Sequence, residues 1–395
     1  MEARTPVVIV GAGPVGLLTA LQLKRRGIDS VIIDESEPAS ARSFAVVLHP
    51  RTVAMLANLD LVDPLRWQGQ SFRRVAVFAG GERRALLELP VDGEHADGAL
   101  TLPQNVLRKA LEHALATLGV DVTYGWRLAS FEQNADEVHA RFVHAKPSSG
   151  QSQRTVPADA GEFRIASAFL IGADGHQSTV REALGSALVE VGPARAFAFF
   201  DVPQPAPSGE TAELVLGSRS AAVYPLHGGS TRYSFELDSP RSEPLGRAEL
   251  HTLLDRHVPW HVKSAHGVEW SGVRTFNKAL ADRFGHGRVW LAGDACHQTS
   301  PLGAQSLNVG LREARDLASS VAECLDGRHL EHLAVGYAEQ RRLEWRRLLA
   351  CGIEPTRGKT MPGWADAHLA ELIACLPASG DDLDDLLEQL GITLL

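Results

Sequence analysis

The chain has 395 residues, of which 44% are hydrophobic, enough to form a sizeable buried core and too many for a small disulfide-stapled module. Its 48 acidic and 39 basic residues give a formal net charge of -9 without any long run of Lys or Arg. We therefore expect no nucleic-acid partner. The four cysteines stand in no C-x-x-C spacing, which predicts reduced thiols and no metal site.

The only early apolar stretch, from Val7 to Leu23, contains three glycines and a proline and is followed by Lys24 and two arginines. These features are not those of a signal peptide. No other segment reaches the ~18 apolar residues of a membrane span. We expect a cytoplasmic protein without a membrane partner, either a monomer or a homodimer.

The first forty residues have the pattern of a βαβ unit. A β-branched run ends at Gly11, the next segment has helical spacing and closes at Gly27, and a second strand ends at Asp34. A run of this kind is typical of a strand buried on both faces of a parallel sheet. The glycine at the end of the helical segment is a typical helix stop.

Further along, the sequence predicts a helix from about Pro103 to Leu118, a loop over 144–162 and another strand after it. From about Leu188 to Trp270, short apolar runs are separated by Pro and Gly, the pattern of a separate antiparallel sheet. A strand, a polar loop and a long helix with an apolar stripe follow, and the tail after Val335 has a helical pattern.

The strongest motif is the glycine triad Gly11, Gly13 and Gly16, which lies between the first strand and the first helix and encloses Pro14 and Val15. In this spacing the glycines allow a tight turn, close approach to a pyrophosphate and close packing of helix on strand. Asp34, followed by Glu35, stands where a carboxylate can bind the ribose of an adenosine. Together these features predict a dinucleotide site, in preference to an ordinary glycine turn.

Two further motifs follow predicted strands: Asp174-Gly175 before one helix, and Gly293-Asp294 before a loop that leads into the long helix. With the glycine triad, in this order, they resemble the flavin-dependent aromatic hydroxylases of the p-hydroxybenzoate hydroxylase type, which are single-component FAD monooxygenases. A general NAD-linked dehydrogenase would not need the last two motifs. The resemblance spans residues 11 to 314, most of the chain.

The resemblance implies an α/β (α+β) fold, with a Rossmann-like FAD-binding domain, a β-sheet substrate domain and C-terminal helices. We assign residues 1–65, 101–185 and 276–330 to the FAD-binding domain. Residues 66–100 and 186–275 are assigned to the substrate domain, and 331–395 to the helical segment.

Cofactor contacts can be carried over by the resemblance. Asp294 is expected to hold the ribityl chain of FAD, and Asp174-Gly175 to support the pyrophosphate. Arg42 and Gln104 resemble FAD-contacting residues of the family. The helix start after Gly303, with Ser306 and the backbones of Leu307 and Asn308, is expected to meet the flavin, because a helix N-terminus stabilises an anionic reduced ring.

The chain departs from the family at several of these positions. The run Gly303-Ala304-Gln305-Ser306 replaces Gly-Gly-Gln-Gly, which adds Cβ atoms where the flavin ring moves. Phe44 stands where many relatives have a second arginine, and Glu313 replaces the usual aspartate.

The resemblance implies reduction of FAD by NADPH or NADH, reaction with O2 and oxygen transfer through a C4a-hydroperoxyflavin, with the Pro301 carbonyl near the peroxide. Tyr224 and His227 are candidates for orienting or deprotonating a phenol, although a sheet tyrosine and a turn histidine are the simpler interpretation. An FAD-linked oxidase or reductase, and a non-catalytic flavin-binding partner protein, stay open as alternatives.

The substrate prediction depends on the electrophilic character of a flavin hydroperoxide, which calls for an electron-rich aromatic ring. The segments Ala196–Phe200 and Ala221–Leu226 offer a largely apolar wall with few charges. This favours a bulky, uncharged, natural-product-like ring system over a small benzoate that needs an arginine clamp. NAD(P)H is expected to bind transiently near Arg42, Asp174 and the flavin.

Overall fold

The computed structural model describes residues 2–36, 44, 46–90, 98–145, 161–241, 243, 245–262, 265–351, 356–357 and 361–393. Its strands, in chain order, are β1 Ala3–Val10, β2 Ser30–Asp34, β3 Val47–Leu48, β4 Gln70–Phe72, β5 Arg74–Ala79, β6 Glu82–Glu88, β7 Ala99–Thr101, β8 Val122–Tyr124, β9 Trp126–Gln133, β10 Val138–His144, β11 Phe163–Gly172, β12 Leu188–Val202, β13 Thr211–Leu216, β14 Ala221–Leu226, β15 Ser230–Glu236, β16 Trp270–Ala281, β17 Gly285–His286, β18 Val289–Leu291, β19 His297–Gln298, β20 Thr356–Arg357 and β21 Ile392–Thr393.

The helices are α1 Pro14–Arg25, α2 Pro50–Ala57, α3 Val62–Arg66, α4 Gln104–Thr117, α5 Thr179–Ala183, α6 Arg247–His257, α7 Gln305–Leu325, α8 Gln340–Leu348, α9 Gly363–Ala367, α10 Leu369–Cys375 and α11 Asp381–Glu388. The helices predicted after Gly13, near 103–118 and after Gly303 are confirmed as α1, α4 and α7. The loop predicted over 144–162 lies largely outside the described residues.

The first sheet has the order β17-β18-β11-β1-β2-β8, and β9 and β10 extend it beside β11. Strands β18, β11, β1, β2 and β8 run parallel. Their carboxyl ends therefore lie along one edge, the edge at which open α/β sheets bind ligands. The residues after β1, β2, β11 and β18 include Gly11, Glu35, Asp174 and Gly293, so the topology brings all three predicted motifs together.

The second sheet has the order β19-β16-β12-β15-β14-β13-β5-β6 and is antiparallel except for the β13–β5 pair. It is the separate sheet predicted from the short apolar runs. Its long strand β16 runs across the predicted domain limit between residues 275 and 276. The mixed architecture confirms the predicted α/β (α+β) class.

The two faces of the second sheet pack differently. Phe197, Phe199 and Tyr224 pack into the main core that this sheet shares with the parallel sheet. Phe200 and Tyr233 face the other way, into a smaller core that also contains α6 residues. The alternation along β12 therefore directs one aromatic row toward the edge of the parallel sheet.

Within the described residues, no helix is both long and apolar enough to cross a membrane.

Candidate FAD and substrate site

The glycine triad forms the tight turn between β1 and α1. Gly11 has a φ of 107°, and a Cβ there would lie 2.2 Å from the Ala173 carbonyl oxygen. A Cβ at Gly16 would lie 2.0 Å from the Gly11 oxygen, whereas nothing lies within 4 Å of a Cβ at Gly13. The outer two positions therefore need glycine for packing, and the middle one leaves open space at the helix N-terminus, the cradle that a pyrophosphate requires.

Asp34 at the end of β2 is oriented by two backbone amides. The Ala12 N–H donates to one carboxylate oxygen at 2.6 Å, and the Ser36 N–H donates to the other at 2.8 Å. Glu35 is exposed beside it. The carboxylate thus lies next to the glycine turn, as the dinucleotide prediction requires. Arg42 lies outside the described residues.

A cavity of about 360 Å³ extends from the glycine turn to the second sheet. The predicted site residues that line it are Gly13, Pro14, Val15, Gln104, Gly175, Gly293, Asp294, Pro301, Ser306 and Leu307. Gly11 and Gly16 form the turn behind it. Its wall also includes Phe44, already noted as a departure from the family, and three residues that the motifs did not indicate, His176, Arg274 and Phe276.

Asp174 does not line this cavity. Its half-buried carboxylate accepts hydrogen bonds from the Ser178 and Thr179 hydroxyls and from the Thr179 and Val180 N–H groups at 2.5 to 3.1 Å. Burial nevertheless raises the pKa of this carboxyl group, and the hydrogen bonds oppose the rise. Asp174 therefore closes the turn at the start of α5 and places Gly175 and Ala173 at the cavity wall.

Asp294, by contrast, is exposed and faces the cavity from a short 3-10 turn after β18. Gly293 has a φ of 67°, and a Cβ there would lie 3.0 Å from a Val15 methyl group. Gly310 on α7 packs equally closely, with Val15 at 2.9 Å and the Gly293 Cα at 3.2 Å from an ideal Cβ. These contacts bring the N-terminus of α7 to the glycine turn.

The buried group His297–Glu313–Trp345 supports this junction. His297 Nε2 donates to Glu313 Oε2 at 2.9 Å, the Gly293 N–H donates to the same oxygen at 2.8 Å, and the Trp345 indole donates to Oε1 at 2.8 Å. Burial favours a raised pKa for Glu313, but the charge and hydrogen bonds of these partners outweigh it, so the pKa is lowered. Glu313, which stands where the family usually has aspartate, thus accepts hydrogen bonds from all three partners.

The loop before α7 is positioned from distant parts of the chain. His49 Nε2 donates to the Gly303 oxygen at 2.8 Å, and burial lowers the pKa of His49 to about 3, so the ring is neutral near pH 7. Asn308 accepts from the His49 N–H and donates to the Val47 and Ala304 oxygens at 2.7 to 2.9 Å. Its side chain is therefore fully used within the protein and does not line the cavity.

The C-terminal segment covers the same loop. A Cβ at Gly303 would lie 2.7 Å from the Ala374 oxygen and 2.8 Å from the Leu376 oxygen. The Gln305 side chain donates to the Ile373 oxygen at 2.5 Å. Gly303 is thus required by packing against the segment after α10 and has no place on the cavity wall.

Ala304, the residue before α7, has a φ of 51° and a ψ of 27°, a left-handed conformation that favours glycine. Ala304 lines the cavity, together with Pro301, whose carbonyl accepts the Ala304 N–H at 3.1 Å. The departure noted at this position therefore places a strained residue beside the predicted flavin site.

The candidate acid–base residues Tyr224 and His227 lie away from the main cavity. The buried Tyr224 hydroxyl donates to the Leu302 oxygen at 2.6 Å, and burial raises its pKa. His227 contacts the Gly69 oxygen at 3.2 Å and lines a different cavity, beside Leu102 and Pro103. The structure brings neither side chain to the wall that contains Pro301.

Two basic side chains stand at the main cavity instead. The Arg274 guanidinium lies 5.6 Å from the ring centres of both Phe44 and Phe276. His176, which follows Gly175, has a pKa lowered by burial and by the charge of Arg274. Phe44, which replaces a family arginine, therefore packs under a cation that strand β16 supplies.

A smaller cavity of about 100 Å³ adjoins the first and shares Phe276, Asn277, Thr299 and Ser300 with it. We call it the polar annex. Its charged lining residues are Arg195, Glu236, Lys278 and Glu371. The predicted apolar wall is present at Phe197, which also lines the annex. The charges of the annex come from residues outside the two predicted wall segments, namely Arg195, Glu236, Lys278 and Glu371.

Comparison with known proteins agrees with this geometry. Residues 4–350 match the FAD binding domain family. Rifampicin monooxygenase from Rhodococcus hoagii is 28% identical over 85% of this chain and 67% of its own length. For 6-methylpretetramide 4-monooxygenase from Streptomyces rimosus, the identity is 30% over 88% of this chain and 61% of that protein. The chain thus spans about two thirds of these relatives.

Among solved structures, the crystal structure of p-nitrophenol 4-monooxygenase from Pseudomonas putida DLL-E4 superposes with a TM-score of 0.72. The two proteins are 25% identical, and the match covers 87% of this chain and 86% of that one. The family match covers the glycine turn, Asp174, Asp294 and the start of α7 alike. The chain therefore belongs to the FAD binding domain family, within the flavin-dependent aromatic monooxygenases.

Proposed function

We propose that the protein is an NAD(P)H- and O2-dependent FAD monooxygenase that hydroxylates an electron-rich aromatic or polycyclic substrate. The observation that carries the proposal is the continuous cavity, which begins at the open Gly13 position and ends between Pro301 and the aromatic side chains of the second sheet. One end fits a dinucleotide and the other fits a ring.

The residues present fit FAD. The α1 N-terminus at Gly13 would receive the pyrophosphate, Asp34 the adenosine ribose, and Asp294 the ribityl hydroxyls. The free N–H groups at the start of α7, beside Ser306 and Leu307, would face the ring. Bound FAD would supply the hydride-accepting and oxygen-transferring chemistry, and the protein would supply position, charge and exclusion of water.

The reductant site is proposed at the cavity wall near Arg274 and His176. Arg274 is exposed, stacks on two aromatic rings and forms no ion pair with any residue that the structure describes. An exposed guanidinium that is not used in an ion pair with a described residue can bind the pyrophosphate of NADPH or NADH. The absence of a second complete glycine fingerprint in the sequence fits transient binding in place of a separate coenzyme domain.

The substrate ring is proposed to lie between the Ser300–Leu302 loop and the face of the second sheet that carries Phe197 and Phe276. Both aromatic residues line the polar annex, and Phe276 lines the main cavity as well. Apolar side chains there exclude water from the reacting atoms. Relatives that act on rifampicin and 6-methylpretetramide support a multi-ring substrate.

The test uses the purified holoenzyme with NADPH, ¹⁸O2 and a panel of simple hydroxybenzoates and multi-ring phenols. We expect substrate-stimulated NADPH oxidation and one ¹⁸O atom in a hydroxylated product by mass spectrometry. NADPH oxidation without labelled product would favour the FAD oxidase or reductase, and a flavin that NADPH does not reduce would favour a non-catalytic flavin-binding protein. Either result would refute the proposal.

A further inference from the structure

The polar annex contains an ammonium group without a partner among the residues that the structure describes. Lys278 lines the annex, and within the described part of the chain its Nζ makes no hydrogen bond or ion pair. Its aliphatic stem lies over Gly192 on the neighbouring strand, where an ideal Cβ would be 2.8 Å from the Lys278 Cδ. A half-buried ammonium group that lines a cavity, without a counter-ion among the described residues, can pair with an anion from outside the chain.

We propose that the annex binds a carboxylate of the substrate, with Lys278 as its counter-ion. This inference rests on the proposed function, since it assigns the far end of the same substrate site. It replaces the expected uncharged ring system by a ring system that carries an acidic group.

The charges around Lys278 favour an anion. Glu236 is 2% exposed and accepts hydrogen bonds from Arg195 and Arg219, each at 3.2 Å. Arg219 also pairs with Asp238, which pairs with Arg256. The three arginines of this network exceed its two carboxylates by one positive charge. The negative charge of Glu236 is therefore balanced by these arginines and does not oppose the binding of an anion at Lys278.

Glu371 is the opposing charge. It reaches the annex from α10, on the other wall, and no ion pair within 4.0 Å joins it to Lys278 in the described structure. An unpaired carboxylate there lowers the affinity for an anion without removing the site. The annex therefore offers two substitutions with opposite expected effects.

The size and position of the annex fit a substituent. At about 100 Å³ it is smaller than the ~300 Å³ typical of a site for a whole ligand. It opens to the main cavity at Phe276 and Ser300, the side chains beside which the substrate ring is proposed to lie. A ring in the main cavity can extend one acidic group into the annex.

The experiment measures binding to the oxidised holoenzyme without NADPH, by the change in the visible absorption of the flavin. The probes are 6-hydroxy-2-naphthoate and 2-naphthol, which share a ring system and differ in the carboxylate. We expect the naphthoate to bind at least tenfold more tightly. Lys278→Met, which retains the stem, is expected to remove this preference and change the 2-naphthol Kd less than twofold.

Two further variants complete the design. Lys278→Arg is expected to retain the preference for the naphthoate, and Glu371→Gln to tighten its binding severalfold. Thermal unfolding and FAD content of each variant show that the fold is intact. Equal affinities for the two probes, no binding of the naphthoate, or a naphthoate Kd that Lys278→Met leaves unchanged would each overturn the inference.

These outcomes are distinct from failure of the proposed function, since no turnover is measured. Naphthoate binding that depends on Lys278, together with absent ¹⁸O transfer to every tested ring, would retain the acidic subsite and reject the monooxygenase proposal.

Discussion

The glycine turn and the Ser300–Ala304 loop border the same cavity but are stabilised in different ways. The turn is determined by its own sequence and by the adjacent strands β2 and β11, through the Ile33 and Ala173 backbones. The loop is fixed by residues far away in the chain: His49, 254 positions before Gly303, and the carbonyls of Ala374 and Leu376. The cofactor end is therefore a local motif, and the substrate end depends on the whole fold.

The largest effect is expected at the turn. Gly11→Ala forces a positive φ on alanine and brings its Cβ to 2.2 Å from the Ala173 oxygen, which should cost about 3 kcal/mol or more. Gly13→Ala is the matched control, since Gly13 has a φ of -69° and open space around it. Urea unfolding should show a large loss of stability for Gly11→Ala and none for Gly13→Ala.

FAD affinity separates the two glycine variants further. Gly13→Ala should retain apoprotein stability and weaken FAD binding, measured by flavin fluorescence, because the added methyl group occupies the cradle. Equal unfolding free energies for the two variants would show that the turn is not determined by local sterics.

The two acidic motifs have different expected roles: Asp294 acts at the cavity, and Asp174 acts within its own turn. Asp294→Ala removes an exposed acceptor at the cavity and should weaken FAD binding about 10- to 100-fold, the equivalent of about 1.5 to 3 kcal/mol, with little change in apoprotein unfolding. Asp174→Ala removes the group that closes the α5 turn and should lower apoprotein stability. Isothermal titration with FAD and urea unfolding of both apoproteins test this. A loss of FAD affinity at Asp174 larger than at Asp294 would contradict the assignment.

The glycine turn could be predicted from the sequence for a physical reason. Gly11, Gly13 and Gly16 act through contacts of their own turn and adjacent strands, so the spacing alone carries the geometry. The parallel order of β1, β2, β11 and β18 then brings the three motifs to one edge. Asp174 was harder to interpret, because the motif does not show that Ser178 and Thr179 use its carboxylate.

The substrate end could not be predicted to the same extent. Tyr224 and the cavity wall are on the same sheet, but the Tyr224 hydroxyl is taken by the Leu302 carbonyl. Arg274 and Lys278 lie on β16 and carry no motif. Glu371 comes from the C-terminal segment, which only the tertiary fold brings to Gly303. Strand alternation along β16 would have placed Arg274, Phe276 and Lys278 on one face, and that is the signal the sequence did contain.

A smaller, pH-dependent effect is expected at His49. Its pKa of about 3 in the fold lies below the ordinary value of 6.5, so the unfolded chain binds a proton that the folded chain does not, and stability is lost as pH falls below 6.5. Between pH 7.5 and 5.5, the contribution of His49 to the free energy of unfolding should fall by about 1 kcal/mol. His49→Gln should destabilise the protein at pH 7.5 and less so at pH 5.5, in urea unfolding at both values. If the two proteins differed in unfolding free energy by the same amount at both pH values, His49 would not be a neutral, buried donor to Gly303.

The smallest effect concerns Ala304, where the loop carries a left-handed alanine at the cavity wall. Ala304→Gly removes a strain of about 1 kcal/mol, and the greater freedom of glycine in the unfolded chain offsets part of it, so a gain of about 0.5 kcal/mol is expected. Ala350 has the same φ of 51° outside the site and is exposed, which makes Ala350→Gly a matched control.

Both variants should unfold at slightly higher urea concentration, because both relieve the same backbone conformation. Only Ala304→Gly should also change the flavin absorption spectrum and fluorescence, because Ala304 lines the cavity and Ala350 does not. A stability gain at Ala350 alone would mean that contacts from His49 and the C-terminal segment, and not the backbone of residue 304, determine the conformation of the loop. The flavin would then be insensitive to the alanine that replaces the usual glycine.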